Sequence, residues 1–181
     1  IYVAVDGKLI GTITVSDQLR EDSASAISAL RKLGVEKTVM LTGDNEKTAA
    51  KIAKECGVDE HYSSLMPADK VEHLKQIKQQ GGATLFVGDG INDAPVLAIA
   101  DAGVAMGLGT DAAIEAADVV LMSDKPSALV RAVEIAKHAM RIVKFNIAFA
   151  LIIKIGVLAL GVFGMANMWM AVFADVGVSI I

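Results

Sequence analysis

The feature that most constrains this chain is an apolar run of twenty residues, Phe145 to Gly164, which contains a single charge, Lys154. About 20 such residues are needed for a helix to cross the hydrocarbon core of a bilayer. After Lys144 the only charged residues are Lys154 and Asp175, whereas the part of the chain up to Lys144 carries all the others. The sequence therefore predicts a globular part in water followed by a part in a membrane.

The membrane part is predicted to be a helical hairpin. Gly164 to Asn167 can turn, and Met168 begins a second apolar helix that is truncated at Ile181. We expect a connecting helix at 126–144, a transmembrane helix at 145–164 and a second, truncated one at 167–181. The turn carries no cation, whereas five precede the first span, and this bias places the globular part in the cytoplasm of a multi-pass protein of the cell membrane, in contact with lipid. These five are Lys125, Arg131, Lys137, Arg141 and Lys144.

Composition excludes some classes of function. A net charge of −4 and an aromatic content of 4% provide neither a basic surface nor a base-stacking platform, so no nucleic acid partner is expected. Cys56 is the only cysteine, which excludes an internal disulfide and indicates a small core residue. The chain starts inside an apolar strand pattern without an initiator Met and stops inside an apolar run, so we expect a fragment of a longer protein.

The first part alternates short apolar strands with helices. Ile1 to Val5 and Leu9 to Val15 flank an Asp-Gly turn and predict a β-hairpin. Further strands are predicted at 38–41, 83–87, 103–106 and 118–122, with a short one near Tyr62. Helices are predicted from 22 and at 46–55, 68–79, 93–100 and 111–116. This order predicts an α/β domain with a Rossmann-like parallel sheet and right-handed crossovers.

Two of the predicted strands run into unusual polar loops. Residues 39–41 lead into Thr42-Gly43-Asp44, and residues 85–87 lead into the run Gly88 to Pro95. In open α/β sheets, function gathers beyond the carboxyl ends of the strands. Because parallel strands end at the same edge, we expect the two loops to form one site.

The second loop has the composition of a magnesium site. Asp89 and Asp93 lie four residues apart with Asn92 between them, and Gly88 and Gly90 allow a tight turn. Mg²⁺ prefers one or two carboxylates, with water and phosphate oxygens completing its octahedron. The alternative is a turn that simply caps the next helix. Such a turn needs one Asp and one Gly, and this run has two of each.

Two further motifs offer groups for a phosphate. Thr42-Gly43-Asp44 supplies a hydroxyl and backbone N–H groups at a helix entrance, although such a turn can also be a plain N-cap. Lys70 falls in the first turn of a helix, where the dipole disfavours a cation. An anionic group nearby would offset that cost.

The three motifs resemble a known family. Thr42-Gly43-Asp44, Met66-Pro67-Ala68-Asp69-Lys70 and Gly88-Asp89-Gly90-Ile91-Asn92-Asp93-Ala94-Pro95, in this order and spacing, are similar to the second half of the phosphorylation domain of P-type ATPases. That domain has the haloacid-dehalogenase-like fold. The resemblance covers essentially the whole chain, and the eight-residue run is its most specific part.

The resemblance implies a role for each of these residues. Asp89 would ligate Mg²⁺ with Asp93 in support, and Asp17 and Arg20 match a hinge beside the nucleotide-binding domain. Residues 1–16 would be the last hairpin of that domain, and residues 17–125 the second part of the phosphorylation domain. The phosphoryl oxygens would be held by Thr42, Lys70 and Asn92, in a loop shaped by Gly43 and Asp44.

One departure limits what the fragment could do. The family's nucleophile is the Asp of an Asp-Lys-Thr-Gly-Thr motif, and this sequence does not contain it. The resemblance implies that ATP binds through a nucleotide-binding domain that, apart from the hairpin of residues 1–16, lies outside this chain. We therefore expect no autophosphorylation and no ATP hydrolysis by the fragment alone.

The two charges in the membrane part are predicted to pair. A charge at the centre of a transmembrane helix costs about 3 kcal/mol. With the turn centred near Met165 or Ala166, the helical rise puts Lys154 about 17 Å and Asp175 about 14 Å from it. A lysine side chain can bridge that difference. The alternative is that Lys154 snorkels and the pair has a purely structural role.

Lys154 and the segment Met168 to Gly177 resemble the zinc, cadmium and lead subclass of heavy-metal ATPases. The resemblance implies that Asp175 contributes to the site of the transported Zn²⁺, Cd²⁺ or Pb²⁺, and that Lys154 is a built-in counterion. The copper subclass has Tyr-Asn and Met-x-x-Ser-Ser in these helices, and neither occurs here. The family's Cys-Pro-Cys metal motif is also absent from this sequence.

The expected function of the parent protein is ATP-driven export of a soft divalent metal through an aspartyl-phosphate. Two other functions stay open at this stage. One is a membrane-anchored phosphatase of the haloacid-dehalogenase type, which would share the Mg²⁺ loop and Lys70 but not the paired membrane charges. The other is a catalytically inactive regulatory fragment.

Overall fold

The computed structural model describes residues 2–12, 19–89, 91–107 and 110–177. The chain divides into two compact units, residues 1–131 and residues 132–181. The strands described lie in the first unit, and the elements described in the second unit are helices.

The helices and strands alternate as the sequence predicts. A 3₁₀ turn at Ile91–Asp93 precedes α4, and a π-helical turn at Phe173–Gly177 follows α7. The elements in chain order are β1 Tyr2–Val5, β2 Lys8–Thr12, α1 Ser23–Lys32, β3 Val39–Leu41, α2 Glu46–Cys56, β4 Glu60–Tyr62, α3 Pro67–Gln79, β5 Leu85–Gly88, α4 Ala94–Ile99, β6 Ala102–Met106, α5 Asp111–Ala116, β7 Val119–Leu121, α6 Pro126–Val162 and α7 Met168–Val172.

The first two strands form the predicted antiparallel hairpin. Asp6 and Gly7 connect them with φ angles of 50° and 77°. Such positive values at both central residues suit an Asp-Gly hairpin turn. The second strand was expected to reach Val15, but residues 13–18 lie outside the described part of the chain.

The remaining strands form two parallel sheets, not the single sheet that we predict from the sequence. Strand β3 pairs with β4, and β5, β6 and β7 form a second sheet. Within the described residues, no ladder joins β3 to β5. Alternation of strands and helices predicts parallel crossovers, but it does not determine which strands are hydrogen-bonded neighbours.

A carboxylate fastens the amino ends of β3 and β4. Asp59 Oδ2 accepts hydrogen bonds from the backbone N–H and the hydroxyl of Thr38, both 2.7 Å long. Its other oxygen lies 2.6 Å from the guanidinium of Arg31. These hydrogen bonds, led by those from Thr38, lower the pKa of Asp59 to about 2.

The same arrangement recurs at the amino ends of β5 and β6. Asp101 Oδ2 accepts from the backbone N–H and the hydroxyl of Thr84, both at 2.8 Å. Lys78 forms an ion pair of 2.8 Å with its other oxygen. The Lys78 ammonium, followed by the two Thr84 donors, lowers the pKa of Asp101 to about 2.

We expect acid to destabilise the globular part as Asp59 and Asp101 take up protons. Their pKa falls from 3.8 to about 2 on folding, so their stabilising effect is complete above about pH 4 and is lost as the pH falls through about 2. Thermal unfolding of the detergent-solubilised protein across this range measures the effect. On acidification through this range, an Asp59→Asn/Asp101→Asn variant should lose less stability than wild type does. Equal losses of stability in the variant and in wild type would contradict this.

Close packing between α4 and β6 positions the loop that precedes α4. Val96 and Leu97 of α4 are almost completely buried, as are Val104 and Ala105 of β6. A Cβ at Gly103 would lie 2.6 Å from the carbonyl oxygen of Leu97, so this contact requires glycine. The start of α4 is therefore held directly against the sheet.

Helix α6 joins the predicted connecting helix and the first predicted span without a break. Its 37 residues begin at Pro126 and end at Val162, two residues before the predicted end of the span. It is the one helix in the described residues that is long and apolar enough to cross a membrane. The second apolar helix begins at Met168. It continues from α7 into the π-helical turn, and residues 178–181 lie outside the described part of the chain.

Candidate active site and membrane ion pair

Asp93 lies at the junction between β5 and α4. The residue is 9% exposed. A Cβ added at Gly88, the last residue of β5, would lie 2.8 Å from the Cβ of Asp93, so the turn requires glycine at this position. Asp89 is exposed, so its carboxylate is accessible from solvent.

The ammonium of Lys70 pairs with Asp93. The Nζ to Oδ1 distance is 2.8 Å, and the two side chains are 16% and 13% exposed. Lys70 lies in the first turn of α3, whose start is capped by Asp69 through a 2.9 Å hydrogen bond from the N–H of Met66. Asp93 therefore provides the negative charge that offsets the unfavourable helix dipole at Lys70.

The loop Thr42 to Asp44 follows β3 and is organised by its own side chains. The Thr42 hydroxyl donates to Asp44 Oδ2 at 2.9 Å and accepts from the Asp44 N–H at 3.1 Å. Thr42 is half-buried, whereas Gly43 and Asp44 are exposed. The Asn45 side chain caps α2 by accepting from the N–H of Thr48.

Backbone hydrogen bonds tie this loop to the segment between β4 and α3. Ser64 N–H donates to the Asp44 carbonyl at 2.6 Å, and Leu65 N–H donates to the Thr42 carbonyl at 3.0 Å. Because the same segment leads within five residues to Lys70, these contacts connect the Thr42 loop to α3. The ion pair of Lys70 continues the connection to Asp93, so all three motifs belong to one contiguous part of the first unit.

A further polar cluster beside this segment is not evident from the sequence. Glu46 accepts a 2.5 Å hydrogen bond from the Ser63 hydroxyl and lies 3.0 Å from Nε2 of His61. These two partners, Ser63 first, lower the pKa of Glu46. Ser64, the next residue, has a φ of 55°, a left-handed value that is uncommon outside glycine. Only the place of Glu46 in a helical first turn can be predicted from sequence.

Two other residues predicted for the site, Asn92 and Arg20, are exposed. Asn92 is exposed within the 3₁₀ turn. Arg20 is exposed, and its carbonyl accepts from the N–H of Ser23 at the start of α1. Asp17 lies outside the described residues. Cys56 is half-buried, and burial raises the pKa of its thiol.

In the second unit, Lys154 of α6 pairs with Asp175. The Nζ to Oδ1 distance is 2.8 Å, which confirms the ion pair predicted from their matched depth. Asp175 lies within the π-helical turn at Phe173–Gly177, a local distortion that is frequent at functional sites. The pair borders a groove of about 510 Å³ whose other walls are apolar, among them Leu158 and Ala174. Groups of three or more His, Cys, Asp or Glu side chains that could hold a metal are absent from the described residues.

Comparisons of this chain with family models and with known proteins agree with one another. A model of haloacid dehalogenase-like hydrolases matches residues 2–101. The cadmium, zinc and cobalt-transporting ATPase of Bacillus subtilis is 50% identical over 185 residues, covering 100% of this chain and 26% of that protein. The zinc-transporting ATPase of Synechocystis is 50% identical over 184 residues, also covering 100% and 26%. The chain therefore spans about a quarter of the length of these relatives.

A solved structure is similar over almost the whole chain. It is the crystal structure of a zinc-transporting PIB-type ATPase in the E2.Pi state. The match has a TM-score of 0.88 and 42% identity, and it covers 99% of this chain and 29% of that one.

Proposed function

This chain belongs to the haloacid dehalogenase-like hydrolase family, and from that premise we propose that it is part of an ATP-driven exporter of a soft divalent metal. The observation that carries the proposal is the 2.8 Å ion pair between Lys154 and Asp175 in an apolar helical unit. A phosphatase with a simple membrane anchor has no use for two charges that cost about 3 kcal/mol each at mid-membrane. The names of the zinc and cadmium pumps that this chain is similar to support the same function.

The first unit would hold the phosphoryl group. Asp89 is an exposed carboxylate beside a glycine turn, which fits the preference of Mg²⁺ for hard oxygen ligands and leaves room for water and phosphate. Asp93, held by Lys70, would support it. When bound, Mg²⁺ would neutralise charge on the phosphoryl oxygens. Thr42 and Asn92 would contact those oxygens, Lys70 would supply a fixed positive charge, and Gly43 and Asp44 would shape the loop.

The rest of a longer protein would complete the reaction. In P-type ATPases an aspartyl carboxylate oxygen forms a bond to the γ-phosphorus of ATP, and the bond to ADP breaks. We propose that this nucleophile, and the nucleotide-binding domain apart from the hairpin of residues 1–16, lie in the part of the relatives that the chain does not span. Asp17 and Arg20 would form the hinge towards that domain.

The second unit would form part of the ion path. Asp175 would provide a hard ligand for Zn²⁺, Cd²⁺ or Pb²⁺, and Lys154 would neutralise Asp175 when the site holds no ion. Since Lys154 and Asp175 pair at 2.8 Å, the bound ion would take the place of the ammonium beside the carboxylate. The protein would be a multi-pass protein of the cell membrane with residues 17–125 in the cytoplasm, as the cations before the first span favour.

The test is metal-stimulated ATP hydrolysis by the full-length protein in phospholipid vesicles. We expect stimulation by Zn²⁺, Cd²⁺ or Pb²⁺, none by Cu⁺, and accumulation of the stimulating ion inside inverted vesicles. Steady hydrolysis of small phosphate monoesters without any metal response would instead identify a membrane-anchored phosphatase. The absence of both ATP hydrolysis and a phosphoenzyme would instead identify a regulatory protein.

A further inference from the structure

Three cations lie along one face of α6 just before its apolar segment. Lys137, Arg141 and Lys144 are separated by four and three residues, the spacings that bring side chains together on a helix surface. All three residues are exposed. We refer to Lys137, Arg141 and Lys144 as the basic stripe.

The basic stripe has no acidic partner in the described part of the chain. Its members do not appear in any ion pair within 4.0 Å there. Glu134 is the only acid between Lys125 and Phe145, and it precedes the stripe. The three side chains of the stripe therefore carry a charge of about +3, and Glu134, three residues before Lys137, is the one acidic residue of α6.

The position of the basic stripe matches the depth of lipid headgroups. The apolar segment of α6 begins at Phe145, immediately after Lys144. With a rise of about 1.5 Å per residue, the stripe extends from the edge of the hydrocarbon to about 12 Å above it. The headgroup layer occupies about 5 to 8 Å on each side of the core, and long basic side chains bridge the remaining distance.

We propose that the basic stripe binds the phosphate of an anionic phospholipid in the cytoplasmic leaflet. Arg141, at the centre, can donate two parallel hydrogen bonds to phosphate oxygens, while a lysine on either side adds a point charge. A zwitterionic headgroup carries its own ammonium and gains little from such a surface. The proposal rests on the proposed function only for insertion of α6 in a membrane.

Native mass spectrometry of the full-length protein tests the proposal by counting retained lipids. The protein is equilibrated with micelles containing phosphatidylglycerol or phosphatidylcholine. Cationic residues near a membrane surface contribute about 1 kcal/mol each, so a Lys137→Gln/Arg141→Gln/Lys144→Gln variant should bind phosphatidylglycerol about 100-fold more weakly. Wild type should prefer phosphatidylglycerol, and the preference should decrease as salt increases.

Helix α2 supplies a matched control for this experiment. Lys47, Lys51 and Lys54 are also exposed and have the same spacing of four and three residues, but no apolar span follows them. A Lys47→Gln/Lys51→Gln/Lys54→Gln variant removes the same charge and should retain phosphatidylglycerol as wild type does.

A second variant guards against loss of folding. Lys137→Arg/Lys144→Arg keeps the charge and should keep the bound lipid. Equal retention of phosphatidylglycerol by wild type and the Gln variant of the stripe, or equal retention of both lipids by wild type, would overturn the proposal. Metal-stimulated ATP hydrolysis is measured separately. If the protein is not a metal pump, that assay shows it, and the number of retained lipids is unaffected.

Discussion

Replacing Asp89 by Asn in the full-length protein should reduce phosphoenzyme formation by at least about 100-fold. The substitution keeps the size of the side chain but replaces a charged carboxylate with a neutral amide, a much weaker ligand for a hard cation. Because Asp89 is exposed and Asp93 retains its ion pair with Lys70, the fold should remain intact. Steady-state phosphoenzyme from radiolabelled ATP, compared with wild type at equal protein, gives the result.

Asp101→Asn is the matched control for this substitution. It makes the same chemical change at the amino ends of β5 and β6, whereas Asp89 follows the carboxyl end of β5. The control variant should be less stable, because Asp101 holds Thr84 and Lys78, yet should form phosphoenzyme normally when folded. Normal phosphoenzyme in Asp89→Asn would remove Asp89 from the metal role, and an equal loss in both variants would point to folding instead.

Local features of the fold are readily predicted from this sequence. Helix α5 occupies the predicted range 111–116, because Thr110 caps its start and the chain becomes extended at Ala117. The Asp-Gly turn predicts the first hairpin for a similar reason, since few residues accept positive φ angles. The pairing of Lys154 with Asp175 is also predictable, because helical rise converts residue number directly into depth.

Features that depend on distant partners are not predictable in this way. The motifs predict that Lys70 lies near an anion, but its pairing with Asp93, 23 residues away, requires the packing of α3 and α4. The partners of Glu46 cannot be predicted from the sequence either, because His61 and Ser63 reach it only through the register of β4 beside β3. The division of the parallel strands into two sheets is missed for the same reason.

Replacing Asp175 by Ala should abolish metal-stimulated ATP hydrolysis, whereas Lys154→Ala should leave some metal-independent turnover. Loss of Asp175 removes a hard ligand for the ion and leaves Lys154 unpaired, at a cost of about 3 kcal/mol in mid-membrane. Loss of Lys154 leaves a carboxylate that a proton can neutralise. Since a proton would then take the place of the metal charge, we expect ATP use to begin without an ion.

The double variant Lys154→Ala/Asp175→Ala separates an ion-binding role from a structural one. If the 2.8 Å pair only stabilises the helices, removing both charges should restore packing and activity, because no unpaired charge remains in the membrane. If Asp175 binds the ion, the double variant should be folded and still unresponsive to metal. ATP hydrolysis and vesicle uptake are measured for all three variants with and without Zn²⁺. Full Zn²⁺-stimulated activity and transport in Asp175→Ala would show that the carboxylate is structural, whatever the Lys154 variant does.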